Sequence, residues 1–193
     1  MSTPRIPAAE MSGPYGAALK RESTRMFGRV ATPLGVYWHN KAVLRSYLSI
    51  SSKARRWEAC EKDLKSYAHM AVAALIGCSW CLDLGYFQAS NEGLDVAKAR
   101  EVPRWRASTL FTTLERQVLD YAEAMSHTPP TVTDQMSAGL LDQLGEAALV
   151  ELTSYISLAN FYARTNVAFG VHSDGLATAR GLPPLPPATS AAA

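Results

Sequence analysis

Cysteine is scarce, with three in 193 residues, and an odd number cannot form the fully paired framework that staples a small secreted domain. Long apolar runs are missing. No stretch approaches the roughly 18 uncharged apolar residues of a membrane span, and Met1 to Tyr15 holds no signal-type apolar segment. A cytoplasmic protein without a membrane partner is therefore expected. Charge of one sign is lacking too: 19 Lys and Arg stand against 17 Asp and Glu, for a formal charge of +2. No basic stripe results, so nucleic acid is not an expected partner. Strict alternation of apolar and polar residues persists nowhere long enough to argue a sheet. His39, His127 and His172 have no metal-ligand spacing, and neither a metal nor an organic cofactor is expected.

Apolar residues make up 48% of the chain and charged residues 19%, the balance of an ordinary folded domain of this length. Spacing of the helical 3.6 type recurs from about Gly16 to Gly170, which predicts an all-α fold. Residues 1–14 read as a flexible N-terminal arm, 15–175 as a single helical domain, and 176–193 as a Pro- and Ala-rich tail.

Val43, Leu44, Tyr47 and Leu48 form one apolar stripe after Asn40; Tyr67, Met70, Ala71, Ala74, Leu75 and Cys78 form a second. Gly77 interrupts the second stripe, so a new helix is expected from Ser79 to about Ser90. Thr112 and Glu115 have capping-box spacing and announce a helix that Pro129 and Pro130 end. Thr133 is placed to cap the next, with Gly145 as its stop. From Ala147 to Val171 only Glu151 and Arg164 are charged. A helix this apolar is either central or covered by another subunit, which predicts a homo-oligomer.

Cys78 and Cys81 are three apart, a spacing that places them on one helical face within reach of a disulfide. At a helix N-terminus the free N–H groups and the dipole favour thiolate, the nucleophile toward a peroxide or disulfide. The partner thiol can then capture a sulfenic acid before further oxidation. Two other readings are open: half of a zinc site, with Cys60 and His69 as the nearest further ligands, or two inert cysteines on a core stripe.

The run Ala71-Val-Ala-Ala-Leu-Ile-Gly-Cys78-Ser-Trp-Cys81-Leu-Asp-Leu-Gly85 resembles the signature of the alkyl hydroperoxidase D-like (carboxymuconolactone decarboxylase) family. Leu119–Met125, Pro129–Asp134, Val150-Glu-Leu-Thr and Asn160–Asn166 resemble that family's later helices in the same order, so the likeness spans roughly Met26 to Val171. The resemblance implies an alkyl hydroperoxidase D-like helical bundle assembled as a trimer or hexamer. It also implies a cofactor-free thiol peroxidase acting on a hydroperoxide and recycled by a dithiol or thioredoxin-like electron donor. Cys78 and Cys81 would be its catalytic residues. The peroxidase members carry a Glu twelve residues before the first cysteine and a His four after the second, as a proton relay. Here those positions hold Ser66 and Gly85.

His69, one turn from Ser66, and Tyr86, close to the pair in sequence, are the auxiliary candidates beside Ser66 itself. A structural His69 is the competing reading. Trp80 is expected to cover the thiols or pack at an interface. Asn160, Arg164 and Asn166 are the other polar residues that invite a function. Asn160 and Arg164 share a helical face and read as a polar link between helices or subunits, with Glu151 as a partner for Arg164. Two alternatives to the peroxidase are a redox-responsive or non-catalytic scaffold, motivated by Ser66 and Gly85, and a lactone decarboxylase, which has no need of the cysteine pair.

Overall fold

A computed structural model describes residues 4–186, which contain helices and connections and no strand. In chain order they are α1 (Gly13–Phe27), α2 (Thr32–Tyr37), α3 (Lys41–Ala54), α4 (Lys62–Ile76), α5 (Ser79–Asn91), α6 (Val96–Glu101), a 3-10 segment (Val102–Ala107), α7 (Thr113–Ser126), α8 (Asp134–Phe169) and α9 (Leu176–Ala179).

The helix starts follow the side chains that satisfy their free N–H groups. Asn40 accepts from the N–H of Ala42 and Val43, and Thr133 from that of Met136. Thr112 and Glu115 form both halves of the expected capping box. Within α8, Gly145 leaves helical geometry at φ 76, ψ 168, so the element is two helices joined end to end, with the break where the sequence placed a stop.

Helix α4 is the centre of the molecule. Leu64, Tyr67, Ala68, Met70, Ala71, Val72 and Ala73 are all buried along it, and α5, α7 and α8 pack around it. Its small residues let the neighbouring helices approach, while Tyr67 and Met70 fill the space with Val118, Leu119, Leu152 and Ile156. Burying each large side chain of this set is worth about 1.5–3 kcal/mol.

One ion pair lies within this packing. Lys65 on α4 and Glu151 on α8 are buried against each other, and Lys65 also donates to Trp57 O. Burial pushes the Glu151 carboxyl up, but the Lys65 hydrogen bond and the backbone N–H groups of Ala59 and Cys60 outweigh it and hold the carboxyl below its usual range. The pair fixes the loop before α4 to α8. Glu151 is thus the partner of Lys65 and not of Arg164, because α4 packs against that turn of α8 while Arg164 lies more than three turns further along the same helix. Arg164 instead donates to Ser126 O at 2.5 Å, and Asn160 to Ser126 Oγ at 2.9 Å, so the two brace the end of α7.

The chain ends lie against this core. Arg5 donates its backbone N–H to Phe169 O and its guanidinium to Val167 O and Ala168 O, and Met11 is buried. Beyond residue 175, Leu176 and Ala177 are buried where α9 meets α5. Residues 1–3 and 187–193 of the expected arm and tail lie outside the described residues. Val150, Phe161 and Val167 stand exposed on the side of α8 away from the core.

Candidate active site

The cysteine pair sits at the junction of α4 and α5. Helix α4 ends at Gly77, whose φ of 80 is one that a residue with a Cβ adopts only at a cost, and the chain reverses there within two residues. Cys78 becomes the N-cap of α5, its sulfur accepting from the N–H of Cys81 at 3.2 Å. Cys78 and Cys81 are joined in a disulfide, their Cα atoms 5.3 Å apart. Each cysteine is 1% exposed.

Around the sulfurs the surroundings differ by side. From α8, the fully buried Asn166 donates its Nδ2 to Cys81 Sγ at 3.4 Å. From α4, Met70 and His69 press against α5 at Gly85. A Cβ built on Gly85 would lie 2.6 Å from Met70 Cγ and 3.3 Å from His69 Nδ1, so this close approach of α4 and α5 requires glycine. Gly85 is one helical turn beyond Cys81 on the same face. The imidazole of His69 therefore lies against α5 one turn beyond Cys81. Burial drives His69 down to about 4, which leaves it neutral near pH 7.

On the third side the chain after α8 crosses the motif. Ser79 Oγ accepts from the N–H of Ser173 at 3.2 Å, and Trp80 Nε1 donates to Asp174 Oδ2 at 2.8 Å. Asp83 accepts from Ser173 Oγ, Leu176 N and Ala177 N, all at 2.8–2.9 Å, and so caps the first turn of α9. Asp174 also accepts from the N–H and hydroxyl of Thr32, and its backbone oxygen from Arg29. Trp80 is buried and tied into this strap.

The remaining sequence candidates are placed apart. Ser66 sits half-buried on α4, one turn before His69, with no side-chain hydrogen bond to another described residue. Tyr86 is turned about 140° around α5 from Cys81. Its buried hydroxyl has no hydrogen-bond partner among the described residues, and the residue borders a hollow with Val96, Arg100 and Leu110. Cys60 is buried near Lys65 and Glu151, and burial pushes its thiol up to about 11. Among the described residues no three His, Cys, Asp or Glu side chains converge as metal ligands. Asn166, Ser173 and Asp174 escaped assignment to the site from sequence because they stand 85 or more residues from the cysteines. The run of polar residues at 172–174 between apolar helices was the available signal.

Comparison with known proteins places this arrangement. Residues 42–124 match the model of the carboxymuconolactone decarboxylase family. The uncharacterized protein YnjA of Escherichia coli (strain K12) is 32% identical over 155 residues, covering 79% of the chain and 84% of YnjA. Among solved structures, a variant of the debrominase Bmp8 in complex with 2,3,4-tribromopyrrole superposes with a TM-score of 0.78 at 18% identity, over 93% of the chain and 96% of Bmp8. ATU0492 of Agrobacterium tumefaciens, a protein of unknown function suggested to be the antioxidant defence protein AhpD, has a TM-score of 0.67 at 17% identity, over 71% of the chain and 94% of ATU0492. The all-helical architecture is thus of the alkyl hydroperoxidase D-like type.

Proposed function

Because this chain belongs to the carboxymuconolactone decarboxylase family, we propose that it is a thiol-dependent oxidoreductase that reduces hydroperoxides through Cys78 and Cys81. The observation that carries the reading is the disulfide on the opening turn of α5. The two sulfurs there are close enough to pass between dithiol and disulfide, giving two electrons to an oxidant and regaining them from a reductant.

Starting from the reduced pair, one thiolate attacks the terminal peroxide oxygen. The O–O bond breaks, the alkoxide takes a proton and leaves as alcohol, and the sulfur becomes a sulfenic acid. The second thiolate attacks that sulfur, forms the S–S bond and releases hydroxide, which is protonated to water. An external dithiol, either a small molecule or a thioredoxin-like protein, then reduces the disulfide by exchange.

The proton on the attacking thiol needs an acceptor, and Ser66 and Gly85 cannot supply the family relay. On this reading His69, neutral and packed against Gly85, takes that role. The exposed apolar residues of α8 support assembly into a homo-oligomer of family type, a trimer or hexamer.

Steady-state consumption of cumene hydroperoxide with dithiothreitol as donor tests this reading. Cys78→Ser and Cys81→Ser should each abolish turnover, and His69→Gln should slow it by about 10² to 10⁴ if a positioned base is lost. Turnover retained by both serine variants would refute the assignment. A second reading, a redox-responsive scaffold, is favoured by the burial of both cysteines and by the missing relay. It predicts reversible oxidation of the pair with no catalytic turnover.

A further inference from the structure

Helix α8 carries two asparagines whose surroundings differ. Asn160 is fully engaged: its Nδ2 donates to Ser126 Oγ and Ile156 O, and its Oδ1 accepts from Arg164. This is what a structural asparagine looks like. Asn166 is completely buried, yet it makes one side-chain hydrogen bond, from Nδ2 to Cys81 Sγ at 3.4 Å, and its Oδ1 has no partner among the described residues. A buried acceptor without a donor is costly, and such groups are rare where structure alone is served.

We propose that Asn166 is a positioning residue for the Cys81 sulfur, matched to each state of the dithiol–disulfide cycle. In the disulfide and the thiolate the sulfur accepts the amide N–H. That bond is strongest to the thiolate, where the acceptor carries charge. In the protonated thiol, the S–H is a donor in search of an acceptor. Turning the amide by 180° exchanges its nitrogen and oxygen, which are nearly alike in size, and brings the idle Oδ1 to the sulfur. The unpartnered oxygen is thereby accounted for: its donor exists only after reduction. Because the N–H favours thiolate over thiol and over disulfide, it lowers the Cys81 thiol pKa and makes the pair easier to reduce.

The ionisable groups that the contacts described above bring beside the motif are His69 on α4, Asp83 on α5 and Asp174 on the strap, with His172 next to Ser173. Lys65, Glu151, Arg164 and Tyr86 on the same helices are engaged or turned elsewhere. Asp83 and Asp174 are occupied by backbone, hydroxyl and indole donors. All of these groups stay constant when Asn166 alone is changed. The proposal rests on the dithiol cycle proposed above but not on the identity of the oxidant, so thiol properties test it separately from turnover.

The experiment is a pH titration of thiolate absorbance near 240 nm in full-length protein carrying Cys78→Ser, where Cys81 is the remaining thiol of the pair. Cys60→Ala in every variant removes the third thiol, which burial pushes up to about 11. Asn166→Ala should raise the Cys81 pKa by about one unit, a tenfold loss of thiolate. Asn166→Asp, the same shape with a carboxylate for the donor, should raise it further. With both cysteines present, Asn166→Ala should shift the equilibrium with glutathione about tenfold toward disulfide, about 30 mV. Folded variants whose Cys81 pKa equals that of the parent would overturn the proposal. If neither variant folds, the side-chain amide resonance of Asn166 in the unsubstituted, reduced protein decides. It should titrate together with Cys81, and a resonance indifferent to both pH and oxidation would overturn the proposal. Normal thiol shifts in a protein inert to peroxide would instead refute the peroxidase reading and leave Asn166 its role.

Discussion

At His69 a single side chain links stability, protonation and the proposed chemistry. Its imidazole has an ordinary pKa of 6.5 and is driven by burial to about 4. As pH falls through 6.5 the unfolded chain takes up a proton at this position while the folded chain does not. The unfolded state binds more protons, so stability falls with pH. The contribution is fully present above pH 6.5 and lost on approach to pH 4, to a total of at most about 3 kcal/mol. Urea unfolding at pH 7 and pH 5 should therefore show a loss of about 2 kcal/mol in the natural sequence that His69→Gln does not share. Equal losses in the two proteins would mean that the imidazole is not shielded from water. The sequence placed His69 one turn from Ser66 but gave no sign that it meets Gly85, because that contact depends on how closely α4 and α5 approach.

Among elements, α4 and α5 were legible and the strap was not. The stripe from Tyr67 to Leu75, the break at Gly77 and the restart at Ser79 are all local, and the helices form where those signals stand. The capping box at Thr112 and the stop at Gly145 were readable for the same reason. The short α2, α6 and α9 carry too few turns for a periodic pattern. The strap joins Ser79, Trp80 and Asp83 to residues 173–177 across about ninety positions, a distance over which no spacing rule operates. Asp83 is its main anchor, with three donors on one carboxylate. Asp83→Ala should increase amide exchange at Leu176 and Ala177 at least tenfold and speed reduction of the disulfide by dithiothreitol. If exchange rises and reduction does not, the strap is a structural fastening that does not control access to the sulfurs.

At the scale of the whole molecule, the fold brings together at the cysteine pair two stretches some ninety residues apart, the consecutive α4 and α5 and the end of α8 with the chain beyond it. Helix α4 supplies His69 and the buried centre, α5 the cysteines, α8 Asn166, and the chain beyond it the strap. The family resemblance was readable because its segments occur in order along the chain. The pairing of Glu151 with Lys65 was not readable, since two cations compete for one carboxylate and only the packing of α4 on α8 decides between them. No helix among the described residues is long and apolar enough to cross a membrane. The central claim is that Cys78 and Cys81 are a working redox centre, and the most direct measurement is a free-thiol count during titration of the reduced protein with an organic hydroperoxide. The account predicts the loss of two thiols per chain for one equivalent of peroxide, dependent on both cysteines and reversed by a dithiol. Thiols that remain unchanged under prolonged excess would contradict it.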